Sequence, residues 1–146
     1  AASDVYKRQI IDTSINLNVP AYIENDYLPQ AELRLEMYKR LAECKTLDEL
    51  EILKVEIVDR FGPFSKTFQN LIELTKLKII SMPLMIKRII GTNKRIECTF
   101  DSESPILADN KTNNVLVFNP QEDNSILFLQ NTFSTIISNL KLDEAS

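Results

Sequence analysis

Between Thr46 and Pro63 the sequence carries both ends of one helix, and this punctuation constrains the fold more than any other stretch. Thr46-Leu47-Asp48-Glu49 fits a capping box: the Thr46 hydroxyl accepts from the Glu49 amide, and the Glu49 carboxylate can reach back. Asp48, Glu49 and Glu51 crowd the first turn, where the helix dipole favours negative charge. Leu50, Leu53, Ile57 and Phe61 recur at three- and four-residue steps and form one apolar stripe. Gly62 can take the left-handed cap conformation, and Pro63 prevents continuation. A helix with defined ends and one buried face follows, and its open face carries charge rather than catalytic groups.

A second helix precedes it, from about Gln30 to Glu43. Leu33, Met37 and Leu41, with Tyr38 beside them, fall on one side. Arg34, Glu36, Lys39 and Arg40 lie off that stripe, and Glu36 and Arg40 stand four apart in the favourable order for an ion pair. Upstream, the segment Ile15 to Ile23 places Ile15, Leu17 and Val19 on one face of an extended strand, with Asn16 and Asn18 on the other. Pro20 ends that strand or puts it at an edge. Asn25-Asp26 and Pro29 mark the turn into the helix.

A third helix is predicted from about Ser65 to Ser81, with Pro83 beyond its end. Its apolar residues cover more than a narrow stripe, which predicts contact on two sides, with the helical hairpin and with a sheet. Short strands follow at Ile86 to Ile90, Arg95 to Phe100, Val115 to Phe118 and Ser125 to Leu129, with a turn at Gly91-Thr92-Asn93. Asp109 to Asn114 reads as a polar loop. Thr132 to Leu140 reads as a short final helix, with Phe133, Ile136, Ile137 and Leu140 inward. The expected fold class is α+β: an N-terminal strand, a three-helix segment, a small antiparallel or mixed sheet and a C-terminal helix. A length of 146 residues suits one domain. Residues 10–146 are taken as that domain, and residues 1–9 as cloning-derived sequence outside it.

The residue inventory removes most chemistries. There is no histidine, so no Ser-His-Asp or Cys-His arrangement can form. Gly62 and Gly91 are the only glycines, so no Gly-rich phosphate loop exists. Cys44 and Cys98 stand alone, without ligand spacing for zinc. Their spacing leaves a disulfide open, but the absence of an export signal favours two free thiols in a reducing compartment. Asp48, Glu49 and Glu51 are explained by the helix dipole, and no metal site is expected. No run of eighteen apolar residues occurs, so no transmembrane helix is expected. The net charge of −4 divides unevenly, +1 over residues 1–100 and −5 over residues 101–146, an average that opposes autonomous nucleic-acid binding. Lys87, Arg88, Lys94 and Arg95 flank the predicted hairpin turn. They form either a basic patch or solvated edge charges that discourage strand pairing.

Glu56 and Asp59 project from neighbouring positions of the helix between Thr46 and Pro63, with Arg60 next in line. Acids near a helix C-terminus oppose the dipole. Two readings stand: a contact made elsewhere, or a solvated face compensated by an ion pair to Arg60 or Lys54.

Three blocks then carry a family likeness: VPAYIENDYLP, RLEMYKRLAECKTLDELEILKVEIVDRFGPF and NLIELTKLKI. Together they strongly resemble the C-terminal domain of the bacterial transcription-repair coupling factor, from about Leu17 to Phe100. The most specific parts are Arg34-Leu35 with Tyr38-Lys39-Arg40-Leu41, and Ile57-Val58-Asp59-Arg60-Phe61-Gly62. The family usually has proline where this chain has Glu24, and Leu-Gly-Ile where it has Leu84-Met85-Ile86. Residues 101–146 match only in general character.

The resemblance implies a parent that is an ATP- and magnesium-dependent double-stranded-DNA translocase of the bacterial cytoplasm. It acts on stalled RNA polymerase and recruits excision-repair proteins. The C-terminal domain would hold no cofactor and perform no catalysis; the motor would lie upstream. Its partner would be the N-terminal damage-recognition-like module of the same protein, on which it packs as an autoinhibitory clamp. Glu56, Asp59 and Arg60 would then be the intramolecular contact, on a domain that is otherwise monomeric and away from membranes. The alternative is a small DNA- or RNA-polymerase-binding module using Lys87, Arg88, Lys94 and Arg95. An unrecognised stand-alone enzyme is the weakest reading.

Overall fold

A computed structural model describes residues 11–107 and 114–145. The chain enters through a three-residue strand, β1 (Ser14–Asn16). This is shorter than the strand expected from Ile15 through Val19 to Pro20, because Asn18 turns the backbone to φ 56°. An asparagine tolerates that left-handed position, and the ladder stops there. Leu17 is nevertheless buried, and Ile15 and Val19 pack beside it as the alternation predicted.

Helix α1 (Ala31–Glu43) and helix α2 (Leu47–Phe61) form the expected hairpin. Met37 and Leu41 of α1 meet Leu50, Leu53 and Ile57 of α2 in one buried cluster. Thr46 caps α2 as predicted, its hydroxyl accepting from the Glu49 amide at 3.1 Å. The Glu49 carboxylate reaches back one residue further, to the Lys45 amide at 3.5 Å. Gly62 has the positive φ expected of it (93°), but its ψ of −177° is extended rather than left-handed helical. Its amide still donates to the Val58 carbonyl, and its own carbonyl accepts from the Tyr27 hydroxyl at 2.6 Å.

Helix α3 (Lys66–Ser81) starts at Ser65, whose hydroxyl accepts from the Phe68 amide. It belongs to two cores, as its wide apolar surface predicted. Phe68, Ile72 and Ile79 pack with the hairpin, while Leu77 and Ile80 pack with the sheet. A 3-10 turn (Met82–Leu84) containing Pro83 then leads into strand β2 (Ile86–Gly91) through Met85, held at φ 53°, ψ 49°. The residues around this left-handed turn are tied on every side. The Leu84 carbonyl accepts from the Ser104 hydroxyl, that of Met85 from the Asp101 amide, and that of Ile86 from the Thr13 hydroxyl.

Strands β3 (Ile96–Phe100) and β4 (Val115–Phe118) complete a four-stranded sheet ordered β1-β2-β3-β4. The β1–β2 pair is parallel and the other two are antiparallel, so the sheet is mixed. Ile86, Ile89, Ile96, Cys98 and Phe100 line its inner face. The expected polar loop at Asp109–Asn114 falls largely on residues 108–113, outside the described residues, as does the segment 1–9.

Helix α4 (Ser125–Ala145) covers that inner face and corrects the reading of the last segment. Ser125–Leu129 is its opening rather than a strand. The Asn124 side chain caps it by accepting from the Leu127 amide at 3.0 Å. Ile126, Leu129 and Phe133 are buried at helical steps. The polar residues Gln130-Asn131-Thr132 lie within this helix. Gln130 is in fact buried, donating to the Glu73 carbonyl and carboxylate on α3 at 3.0 and 2.9 Å.

Candidate functional site

The open side of α2 gathers the three residues singled out in the sequence, but they do different work. Glu56 lies between two guanidinium groups. Arg40 of α1 grips both its carboxylate oxygens, Nη1 on Oε2 and Nη2 on Oε1, the latter at 2.9 Å. Arg60, one turn on, approaches Oε2 at 3.4 Å. The Arg40 hydrogen bonds, reinforced by both positive charges, hold the Glu56 carboxyl down at about 2. The expected Glu36–Arg40 pair within α1 therefore gives way to a tertiary one. A bidentate guanidinium–carboxylate pair is the stronger geometry. Of the two partners named for Glu56, Arg60 is present, while Lys54 turns to Glu51 at 3.1 Å. Arg60 also sits over the Phe61 ring, 4.8 Å from its centroid. Asp59 is exposed and, among the described residues, has no ion-pair partner.

Sequence reasoning missed the apolar part of this face. Ile52 and Val55 are 70% and 61% exposed, and Val58 stands beside Asp59. Their signal was available: they are three-step neighbours lying off the Leu50-Leu53-Ile57 stripe. Exposed apolar side chains arranged together and rimmed by acids fit a contact surface better than a solvated one.

The four basic residues lie on and beyond β2. Lys87 and Arg88 are both exposed, and Lys94 and Arg95 stand at the hairpin end, where the Thr92 amide donates to the Arg95 carbonyl at 2.9 Å. Arg95 pairs with Glu97 at 3.1 Å. The structure thus keeps them on a surface separate in sequence and element from α2.

A cavity of about 390 Å³ lies between the two cores, lined in part by Ile15, Leu41, Cys44, Leu74, Lys78 and Met82. Cys44 and Cys98 are free thiols. Burial pushes the Cys44 thiol up, and drives that of Cys98 to about 12, so neither is poised as a thiolate. Among the described residues no group of histidine, cysteine and acidic side chains could hold a metal ion, and no helix is long and apolar enough to cross a membrane.

The fold defines a known class of domain. A crystal structure of the C-terminal domain of a transcription-repair coupling factor matches it with a TM-score of 0.78, over 93% of this chain and 96% of that one, at 21% identity. That likeness speaks for the fold. The sequence carries the family: residues 17–111 match the TRCF domain, and the chain belongs to that family. Among its relatives, the transcription-repair-coupling factor of Haemophilus influenzae is 43% identical over 75 residues, 51% of this chain and 6% of that protein. The Escherichia coli protein of the same name is 35% identical over 82 residues, 56% of this chain and 7% of that protein. The chain thus spans a small fraction of the length of these relatives.

Proposed function

We propose that this chain is the regulatory, autoinhibitory C-terminal domain of a DNA translocase that couples transcription to nucleotide excision repair. It docks through the open side of α2 on the N-terminal, damage-recognition-like module of its parent. ATP binding, magnesium binding and DNA translocation belong to the parent's other domains, as do contacts with RNA polymerase and repair proteins. Membership of the TRCF domain family supports the parentage.

One observation carries the docking surface: Ile52 and Val55 stand exposed beside the unpaired Asp59. The apolar pair supplies area to bury, and the acid supplies orientation and salt sensitivity. Glu56 serves differently, since Arg40 and Arg60 already neutralise it; it holds Arg60 at the edge of the face. A clamp that must release suits an interface of this modest, partly polar kind.

The test is to mix the separate N-terminal module with this chain and titrate binding. Asp59→Arg is expected to weaken the complex by about tenfold, as loss of one well-placed charge contact does. Ile52→Lys should weaken it further. Unchanged affinity in both variants, with the thermal transition intact, removes α2 from the interface. Glu56→Arg is the less direct probe because it also breaks the clasp to α1.

A further inference from the structure

The sheet has a second, unpartnered face. Strand register places Asn16, Ile90, Glu97 and Val117 in one row across all four strands. Ile90 and Val117 are 41% and 43% exposed on either side of Glu97. Among the described residues no helix covers this side, since α4 and α3 pack on the opposite one.

The register also explains how two cations reach this face. Ile86 pairs with Phe100, but Arg88 pairs with Thr99, so Lys87 is an extra residue in β2. Without the slip, simple alternation from an inward Ile86 would turn Arg88 into the core and Ile89 out of it. With it, Ile86 and Ile89 are both buried while Lys87 and Arg88 are both exposed. Bulges re-aim side chains in this manner and are common beside binding sites. Among the described residues no carboxylate is within ion-pair distance of Lys87 or Arg88.

We propose that this outer sheet face is a docking surface for an acidic, apolar segment of a partner protein. The segment's carboxylates meet Lys87 and Arg88, and its apolar side chains cover Ile90 and Val117. A polyphosphate backbone fits less well. It gains nothing from covering Ile90 and Val117. Among the described residues the face offers no aromatic ring for a base to stack on. The surface is independent of the α2 face, so either assignment can fail without the other.

Methyl NMR on the whole chain tests it, with two synthetic helical peptides as probes. Both carry the same leucine stripe, one with glutamate and one with lysine at the remaining positions; a short DNA duplex is the third probe. The glutamate peptide is expected to shift the Ile90 and Val117 methyls. Arg88→Glu and Ile90→Asp should each weaken that binding by about tenfold, with thermal denaturation confirming the fold. The lysine peptide should leave both methyls unmoved. The proposal is overturned if the glutamate peptide leaves Ile90 and Val117 unshifted or shifts only Ile52 and Val55 on α2. It is also overturned if the duplex binds this face with an affinity that needs Lys87 and Arg88 but not Ile90, which makes it a nucleic-acid surface.

Discussion

Arg40 near the end of α1 and Glu56 in the middle of α2 are joined by a two-point ion pair that spans the helical hairpin. The pair is partly open to solvent, so its worth lies in fixing geometry more than in raw stability. It sets the angle at which α2 presents Ile52, Val55 and Asp59.

This clasp predicts an acid-sensitive term. The folded-state Glu56 carboxyl titrates at about 2, against an ordinary 4.5. A depressed folded value means that the contribution is fully present above about 4.5 and is lost as pH falls towards about 2. Melting curves across that window should therefore fall less steeply for Glu56→Gln than for the unaltered chain. Equal slopes would show that the clasp adds nothing to acid stability.

Met85 predicts a stabilising substitution. It holds a left-handed conformation that costs a non-glycine residue roughly 1–2 kcal/mol, and three hydrogen bonds around it keep the turn in place. Met85→Gly removes that strain but gains disorder in the unfolded chain and loses partial side-chain burial. The expected net gain is about 0.5 kcal/mol, read as a raised denaturation midpoint. A lowered midpoint would mean that the methionine's packing outweighs the backbone strain.

Gln130 predicts a cost where α4 meets α3. Gln130→Leu keeps the bulk but removes both donors to Glu73, in a site where the side chain is 4% exposed. The expected loss is about 1.5–3 kcal/mol, that of a hydrogen bond to a charged group, here the part-buried Glu73 carboxylate. Urea denaturation measures it, and a loss below the lower bound would mean that water replaces the amide.

The two glycines should respond for different reasons. A Cβ on Gly91 would meet the Arg95 carbonyl oxygen at 2.2 Å, so Gly91→Ala must displace the hairpin backbone. A Cβ on Gly62 has open space, and its cost is conformational, from φ 93°. Gly62→Ala should cost about 1 kcal/mol. Gly91→Ala should cost more, about 1–3 kcal/mol as for overpacking, with shifted resonances along β2 and β3. Equal, local effects would refute the distinction.

Much of the fold was legible because its signals are local. The Thr46 hydroxyl reaches only three residues, and the Leu50-Leu53-Ile57 stripe repeats within one helix, so both could be read directly. The Ser125–Leu129 segment could not, since a short apolar run fits strand and helix alike. Asn124 as a cap and Gln130 as a buried donor decide it, and the latter needs Glu73, 57 residues away. The candidate site divides in the same way. Glu56, Asp59 and Arg60 were visible as neighbours on one helix. That Glu56 is taken by Arg40, leaving Asp59 open, depends on how two helices cross.

By itself the sequence determined that no histidine and no Gly-rich loop is available, where α1, α2 and α3 begin and end, and which family the chain resembles, because composition, caps and periodicity are read directly or act over a few residues. The tertiary structure alone decided which charges are spent inside the domain and which face outward. It also decided that one slipped residue puts Lys87 and Arg88 together on an open sheet. Those outcomes depend on distances between segments far apart in the chain, and packing sets those distances.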